Sequence, residues 1–364
     1  MLDGLRIVEI CGKGPAPFCA MHLADLGADV IVVERDEPTP TPPDLVNRGK
    51  RSVVADLKTP EGRELVLDLI EHADALVEGM RPGVMERLGL GPAQCHARNP
   101  RLVYGRMTGW GQEGPLAQSA GHDNNYIALS GALFHNGCPT QPPAAAVSLV
   151  GDVGGGLYLS IGLLAGIMNA RMTGKGTVVD AAIVDASAHM LQLMLSARSR
   201  GLIADTRGDS MHDSSHFFAT YRCADGEHVT IASIEPQFYA LLLRTLDLQD
   251  DPLFADQWNQ ALWPQARARL RETFAARTRA QWQQVFEGSD VCFGAVLSPP
   301  EAATHGHLMA RDIYFERQGV LQTAPAPRFD GRALAPGAIP MRGEHSRQVR
   351  SCLATNGARS VWRS

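Results

Sequence analysis

Cysteine is scarce and badly placed for a scaffold. The seven residues, Cys11, Cys19, Cys95, Cys138, Cys223, Cys292 and Cys352, are odd in number, scattered, and never spaced C-x-x-C. That excludes a disulfide framework and a zinc knuckle and fits a reducing compartment, so a cytoplasmic location is expected. The sequence has no H-E-x-x-H, no Walker loop and no G-x-S-x-G elbow, and His305-x-His307 alone is poor support for a metal. Metal-free chemistry is the expectation. An excess of positive charge is also missing: the net charge of -5 gives no general reason to bind nucleic acid or an anionic membrane, and neither partner is expected. The N-terminus, MLDGLRIVEI, is acidic at position 3 and has too short an apolar run for a signal peptide. Val153 to Ala170 is uncharged but holds Gly154, Gly155, Gly156, Gly162 and Gly166, which suits a buried helix with close neighbours better than a membrane span. Internal repeats and low-complexity blocks are absent.

What is present is an ordinary globular composition, 45% hydrophobic and 20% charged over 364 residues, enough for about two domains. Arg6 to Ile10 and Asp29 to Glu34 read as strands around a helix at Ala16 to Leu26, a Rossmann-like opening. The loop Cys11-Gly-Lys-Gly-Pro-Ala-Pro17 has only two glycines of G-x-G-x-x-G and prolines in the turn, a weak basis for dinucleotide binding. Asp36 to Pro43 is expected as a surface loop and Ser52 to Asp56 as a strand. Thr59-Pro-Glu-Gly opens a helix through Ile70, and Ala75 to Glu78 and Leu102 to Arg106 are further strands. A long helix follows Asp152, and Thr177 to Ala182 is a strand before a helical stretch to about Arg198. This alternation predicts a mostly parallel sheet. Near residue 215 the texture changes: Tyr221 to Ala232 reads as a hairpin around Ala-Asp-Gly, with helices at Pro236 to Leu246 and Trp258 to Phe286. The expected fold is α/β, a Rossmann-like large domain with a parallel sheet plus a smaller α+β domain. The large domain takes residues 1–190 completed by 320–364, the small one 215–310, with linkers at 191–214 and 311–319.

Three acidic positions stand at predicted helix starts, where capping is the ordinary explanation. In Ala120-Gly-His-Asp-Asn-Asn-Tyr126, Asp123 or Asn124 is a candidate cap with His122 just ahead of it. Asp152 precedes a triple glycine, which costs helix propensity unless a ligand or a packed chain lies against the backbone. Glu235 precedes a proline at the first helical position. The competing reading is chemical: the positive end of a helix dipole favours neutral His122 and ionised Asp152, so that each serves as a base. Arg35, Arg48, Lys50, Arg51, Lys58, Arg81 and Arg87 cluster in the first domain, either as a grip on a polyphosphate or as a solvated basic surface.

Longer strings add a resemblance. Gly49-Lys-Arg-Ser-Val-Val-Ala-Asp-Leu-Lys58, Arg81-Pro-Gly-Val-Met-Glu-Arg-Leu-Gly-Leu-Gly-Pro92, Arg106-Met-Thr-Gly-Trp-Gly-Gln112, Ala120-Gly-His-Asp123, Gly174-Lys-Gly176 and Ile234-Glu-Pro-Gln-Phe-Tyr239 resemble the α-methylacyl-CoA racemases of the family III CoA-transferase superfamily. The likeness runs from residue 3 to about 300. It implies an acyl-CoA thioester substrate, no separate cofactor because CoA is part of the substrate, and an interlocked homodimer with its active site shared between subunits. His122 and Asp152 match the two catalytic proton carriers, and Glu235 the glutamate that reaches the histidine from the partner's small domain. Arg35, Ala55, Asp56, Leu57 and Lys58, with Gly121, Asp123, Asn124, Asn125 and Tyr126, match CoA or thioester contacts; Arg81 and Arg87 join them from the basic cluster.

The implied reaction inverts the C2 stereocentre of a 2-methylacyl-CoA, with a base on one face and an acid on the other. CoA transfer between carboxylic acids, with Asp152 as nucleophile, is the rival; family transferases generally lack a histidine at position 122. A CoA-binding regulator without turnover and an NAD-dependent dehydrogenase stand further off. Racemases of this type usually read Met-Leu-Asp-Gly-Gly-Ala-Pro where this chain has Met211-His-Asp-Ser-Ser-His-Phe217, so a different acyl pocket is expected. Val291 to Leu297 and the last sixty residues also diverge, and Val361-Trp-Arg-Ser364 is not a peroxisomal signal of the S-K-L type.

Overall fold

The computed structural model describes residues 1–37, 42, 44–146 and 148–362. Residues 38–41 and 43 of the expected Asp36 to Pro43 loop lie outside the described residues, as do 363 and 364 of the C-terminal tetrapeptide. The chain divides into two units, Met1–Ala132 with Ala146–Met190 and Asp312–Ser364, and Leu133–Ala145 with Leu191–Arg311.

The first unit is built on strands β1 (Arg6–Ile10), β2 (Asp29–Glu34), β3 (Arg51–Val54), β4 (Ala75–Glu78), β5 (Val103–Thr108) and β6 (Thr177–Ala182). All pairings are parallel, in the order β3-β2-β1-β4-β5-β6. RIVEI, DVIVVE and ALVE read as nearly unbroken apolar runs because a parallel sheet is covered on both faces. Alternation along each strand divides the core: Val8, Ile10, Ile31, Val33, Leu76 and Tyr104 face one layer, and Ile7, Val30, Val77 and Val103 the other.

Four helices matter for the site: α1 (Pro15–Asp25), α2 (Pro60–Ile70), α3 (Asp123–Leu129) and α4 (Gly154–Thr173). The start of α2 follows its sequence, with Thr59 Oγ1 accepting from Gly62 N–H at 3.0 Å and Pro60 in the first turn. The glycines of α4 are close-approach positions. A Cβ at Gly156 would lie 2.8 Å from the Pro15 carbonyl oxygen, and one at Gly162 2.6 Å from Val179. The helical stretch Leu149–Thr173 is long and apolar enough to cross a bilayer, yet half of its most apolar window is buried inside its own unit, as expected of a core helix. Its outer face exposes Leu157, Ile161, Met168 and Met172.

The C-terminal segment closes the β3 edge. His345 N–H donates to the Ser52 carbonyl at 2.9 Å, Ser346 Oγ accepts from Val54 N–H at 3.0 Å, and Val361 and Trp362 are buried in the core.

In the second unit β7 (Phe218–Arg222) and β8 (His228–Ala232) form the expected hairpin, with Gly226 in the turn at φ +87, and β9 (Phe293–Ala295) adds a third antiparallel strand. The core is aromatic: Phe217, Tyr221, Tyr239, Phe254, Trp263, Phe274, Trp282 and Phe286. The single helix expected over Trp258 to Phe286 is instead two, Trp263–Ala275 and Arg279–Phe286. It breaks because Ala224 N–H takes the Arg277 carbonyl at 2.9 Å and Thr278 caps the second helix. The helical stretch expected to Arg198 likewise divides into Ile183–Met190 and Gln192–Ser199. Of the divergent Met211 to Phe217 segment, Asp213, Ser215, His216 and Phe217 are buried. His216 Nε2 lies 2.7 Å from Tyr239 Oη, and burial pushes its imidazole down to about 4. Of these, His216 and Phe217 depart from the racemase pattern and pack into the aromatic core of this unit.

Candidate active site

The strand order reverses between β1 and β4, where loops leaving the carboxyl ends diverge and open α/β sheets form their ligand crevice. A cavity of about 420 Å³ lies there. Its walls come from Lys13 and Gly14 after β1, Met80 and Arg81 after β4, and Met107, Thr108 and Trp110 at the end of β5. Gly121, His122 and Tyr126 join them around the start of α3, with Asp152 ahead of α4.

None of the three acidic positions caps its helix by a side chain. His122 itself is the N-cap residue of α3, extended at φ -135 and ψ 174, and its N–H donates to Asn125 Oδ1 at 3.0 Å. This replaces the expected cap at Asp123 or Asn124. The His122 ring is exposed on the cavity wall. Asp123 turns inward, where Oδ2 accepts from Asp152 N–H at 2.7 Å. Asp152 lies in a π turn, Leu149–Val153, that leads into α4. Such turns often mark functional sites. The triple glycine lies against packed chain: a Cβ at Gly154 would come 2.8 Å from Met190 Cε. Glu235 holds the N-cap position of helix Pro236–Thr245 without a side-chain cap bond, exposed in the second unit.

Two further glycines shape the wall. Gly14 has φ +69, and a Cβ there would sit 3.4 Å from Asp152 Oδ2, so this loop brings bare backbone up to the carboxyl. Gly109 and Gly121 clasp the Tyr126 ring, which meets Trp110 edge-on at 4.7 Å and donates its hydroxyl to the Gly121 carbonyl.

The carboxyl of Asp152 is held above the ordinary carboxylate range, first by burial and then by the neighbouring Asp123, while His122 pulls it back down. Desolvation and a like charge thus act against the helix dipole, which on its own favours the ionised form.

The basic cluster also divides. Arg48 pairs with Asp25 at 2.5 Å, Lys50 with Glu9 at 2.6 Å and Arg51 with Asp29 at 2.7 Å, all buried, so these three serve the fold and form neither a phosphate grip nor a solvated surface. Arg35, Asp56 and Lys58 are exposed at the carboxyl ends of β2 and β3; Ala55 and Leu57 are core residues. Arg87 stands on the short helix Val84–Arg87 and Asn124 is exposed on α3. None of these lines the cavity, and neither do the side chains of Asp123 and Asn125. The expected residues that meet there are Arg81, Gly121, His122, Tyr126 and Asp152.

Sequence reasoning missed Lys13, which lay in a loop weighed only for dinucleotide binding, and Trp110, visible only as part of the Arg106 to Gln112 string. The Trp110 Nε1 atom is buried without an acceptor. Among the described residues no group of three or more His, Cys, Asp or Glu could hold a metal ion.

An imidazole and a carboxyl lining one crevice at the switch point of an open α/β sheet define a class: proteins with a small-molecule site that carries acid–base groups. The sequence model of CoA-transferase family III matches residues 2–346. Human alpha-methylacyl-CoA racemase is 39% identical over 354 residues, 96% of this chain and 92% of its own length. The acetyl-CoA:oxalate CoA-transferase of Acetobacter aceti is 29% identical over 346 residues, 90% of this chain and 89% of its own. The crystal structure of a CaiB/BaiF family protein from Brucella suis superposes with a TM-score of 0.83 at 28% identity, covering 97% of this chain and 99% of that one. The chain belongs to CoA-transferase family III and is an enzyme.

Proposed function

We propose that this enzyme racemises or epimerises 2-methylacyl-CoA thioesters by proton transfer at C2 through an enolate, with CoA carried by the substrate and no separate cofactor. The observation that carries this reading is that His122 and Asp152, whose carboxyl is raised above its ordinary value by burial and Asp123, line the same cavity. Likeness to the human racemase supports the substrate class.

With one enantiomer, His122 takes the C2 proton and protonated Asp152 delivers its own to the opposite face. His122 is then imidazolium and Asp152 carboxylate, the pair from which the other enantiomer reacts in reverse. Backbone N–H groups at the start of α3 stabilise the enolate oxygen. Arg81, Gly121 and Tyr126 contact the thioester end. Arg35, Ala55 to Lys58, Arg87, Asn124 and Asn125 serve the rest of the CoA moiety from the carboxyl edge of the same sheet.

The second subunit is a further copy of this chain. The exposed Leu157, Ile161, Met168 and Met172 stripe on α4 is the kind of apolar surface that a monomer rarely leaves to water. In this arrangement the partner's exposed Glu235 reaches His122 and orients its ring. The free state of all seven cysteines supports a reducing compartment, and we place the enzyme in the cytoplasm.

Incubating the protein with one enantiomer of a 2-methylacyl-CoA in D2O tests the reaction, which should put deuterium at C2 as optical purity is lost. CoA transfer to an added acid with no C2 exchange would replace it with the transferase reading, for which the Acetobacter relative speaks. The transferase reading leaves His122, which lines the same cavity, without a task.

A further inference from the structure

The side chain of Asp123 has a place in the site that substrate contact does not explain. It is 7% exposed and points away from the cavity, with Oδ2 accepting the Asp152 N–H at 2.7 Å. Its carboxyl fills the space where a Cβ at Gly151 would stand, so Gly151 is the residue that lets the two chain segments close. Its other oxygen, Oδ1, is buried with no hydrogen-bond partner. A buried carboxylate with one oxygen unsatisfied is costly, and such a cost is retained where the group does work.

We propose that Asp123 is a positioning residue for Asp152: it clamps the π turn at the Asp152 N–H and sets a second acidic group beside the Asp152 carboxyl. The inference rests on Asp152 acting as a proton carrier in the reaction proposed above. Several ionisable groups surround the turn. Lys13 and Arg81 share the cavity, Tyr126 and His122 come from α3, and Asp185 and His189 stand on helix Ile183–Met190. Among them, Asp123 and His122 are the groups whose charge reaches the Asp152 carboxyl, in opposite senses.

Two variants of the full chain separate clamp from charge. Asp123→Asn keeps an accepting oxygen and the side-chain shape but removes the charge; Asp123→Ala removes both. Carbon-13 titration of the Asp152 carboxyl, assigned by its loss in Asp152→Asn, reads the charge effect without turnover. In Asp123→Asn the midpoint should fall, because the like charge beside the Asp152 carboxyl is gone. The matching limb of the kcat/KM profile should move the same way with KM held. In Asp123→Ala the Asp152 amide should exchange with solvent faster and kcat should fall on the order of a hundredfold. A wild-type midpoint in Asp123→Asn together with wild-type kcat in Asp123→Ala overturns the proposal. If the wild-type protein exchanges no C2 proton, the proposed reaction fails, and the carboxyl titration and amide exchange still decide the clamp.

Discussion

Each unit brings one histidine and one aspartate together from distant parts of the chain, and the two pairs are left in opposite states. In the second unit His135 Nδ1 lies 3.4 Å from Asp213 Oδ2, and the same carboxylate accepts from Gly208 N–H at 2.9 Å and Ser210 N–H at 3.2 Å. Asp213 is buried and every bond it makes is internal to its unit, as in a staple. In the first unit no hydrogen bond joins the His122 ring to the Asp152 carboxyl among the described residues, the carboxyl accepts none, and both groups line a cavity. The same two residue types hold structure where they are satisfied and remain available for a ligand where they are not.

Exchanging charge for shape in the unsatisfied pair should have the largest effect. Asp152→Asn is expected to lower C2 deuterium exchange by about 10²- to 10⁴-fold, the usual range for a general acid–base group, with KM little changed. Wild-type exchange in that variant would erase the contrast between the pairs.

The next effect belongs to the second unit alone. His216 is neutral in the folded state, with its pKa near 4, whereas the unfolded chain titrates near 6.5. The unfolded chain binds more protons between those values, so stability should fall as pH drops from about 6.5 to about 4, by on the order of 3 kcal/mol. Thermal unfolding of His216→Phe, in which this part of the pH slope vanishes, checks the claim; an unchanged slope would assign it elsewhere.

Removing the satisfied acid should cost less. Asp213→Ala leaves two backbone donors without their acceptor and should destabilise the protein by about 2 kcal/mol in chemical denaturation, with C2 exchange per folded molecule retained. A loss of exchange as deep as that of Asp152→Asn would show that both pairs serve the reaction.

The smallest effect sharpens the same point. A carboxyl whose folded pKa is raised loses stability as pH rises through the window above the ordinary value. Asp152→Asn should therefore melt slightly higher than the wild type near pH 8, by about a degree, and at the same temperature near pH 4. A catalytic group held at some cost to stability behaves this way; one at ease in the fold does not.

Much of the first unit is legible in its residues. Arg6–Ile10, Asp29–Glu34, Ala75–Glu78 and Thr177–Ala182 are strands with the bounds their apolar runs suggest. Thr59-Pro60 starts α2 by local chemistry alone. The second unit is less legible. Its long helix is interrupted by a bond between Ala224 and Arg277, residues too far apart for any pattern to connect. Likewise, nothing in residues 133–145 announces that they pack with residues 191–311. In the site, His122 and Asp152 were visible because glycines surround them in motif-like strings. Lys13 was not, since an exposed lysine in a loop carries no local signal.

Period, punctuation and long motifs settled the parallel sheet and the family, because a buried apolar run or a proline-started helix is dictated by residues adjacent in the chain. The fate of each charge was decided only by the fold. Arg48, Lys50 and Arg51 became core ion pairs, Asp123 turned inward onto the Asp152 N–H, and the Asp152 carboxyl was raised above its ordinary value, because desolvation and Coulomb energy depend on neighbours that only folding brings within a few ångströms.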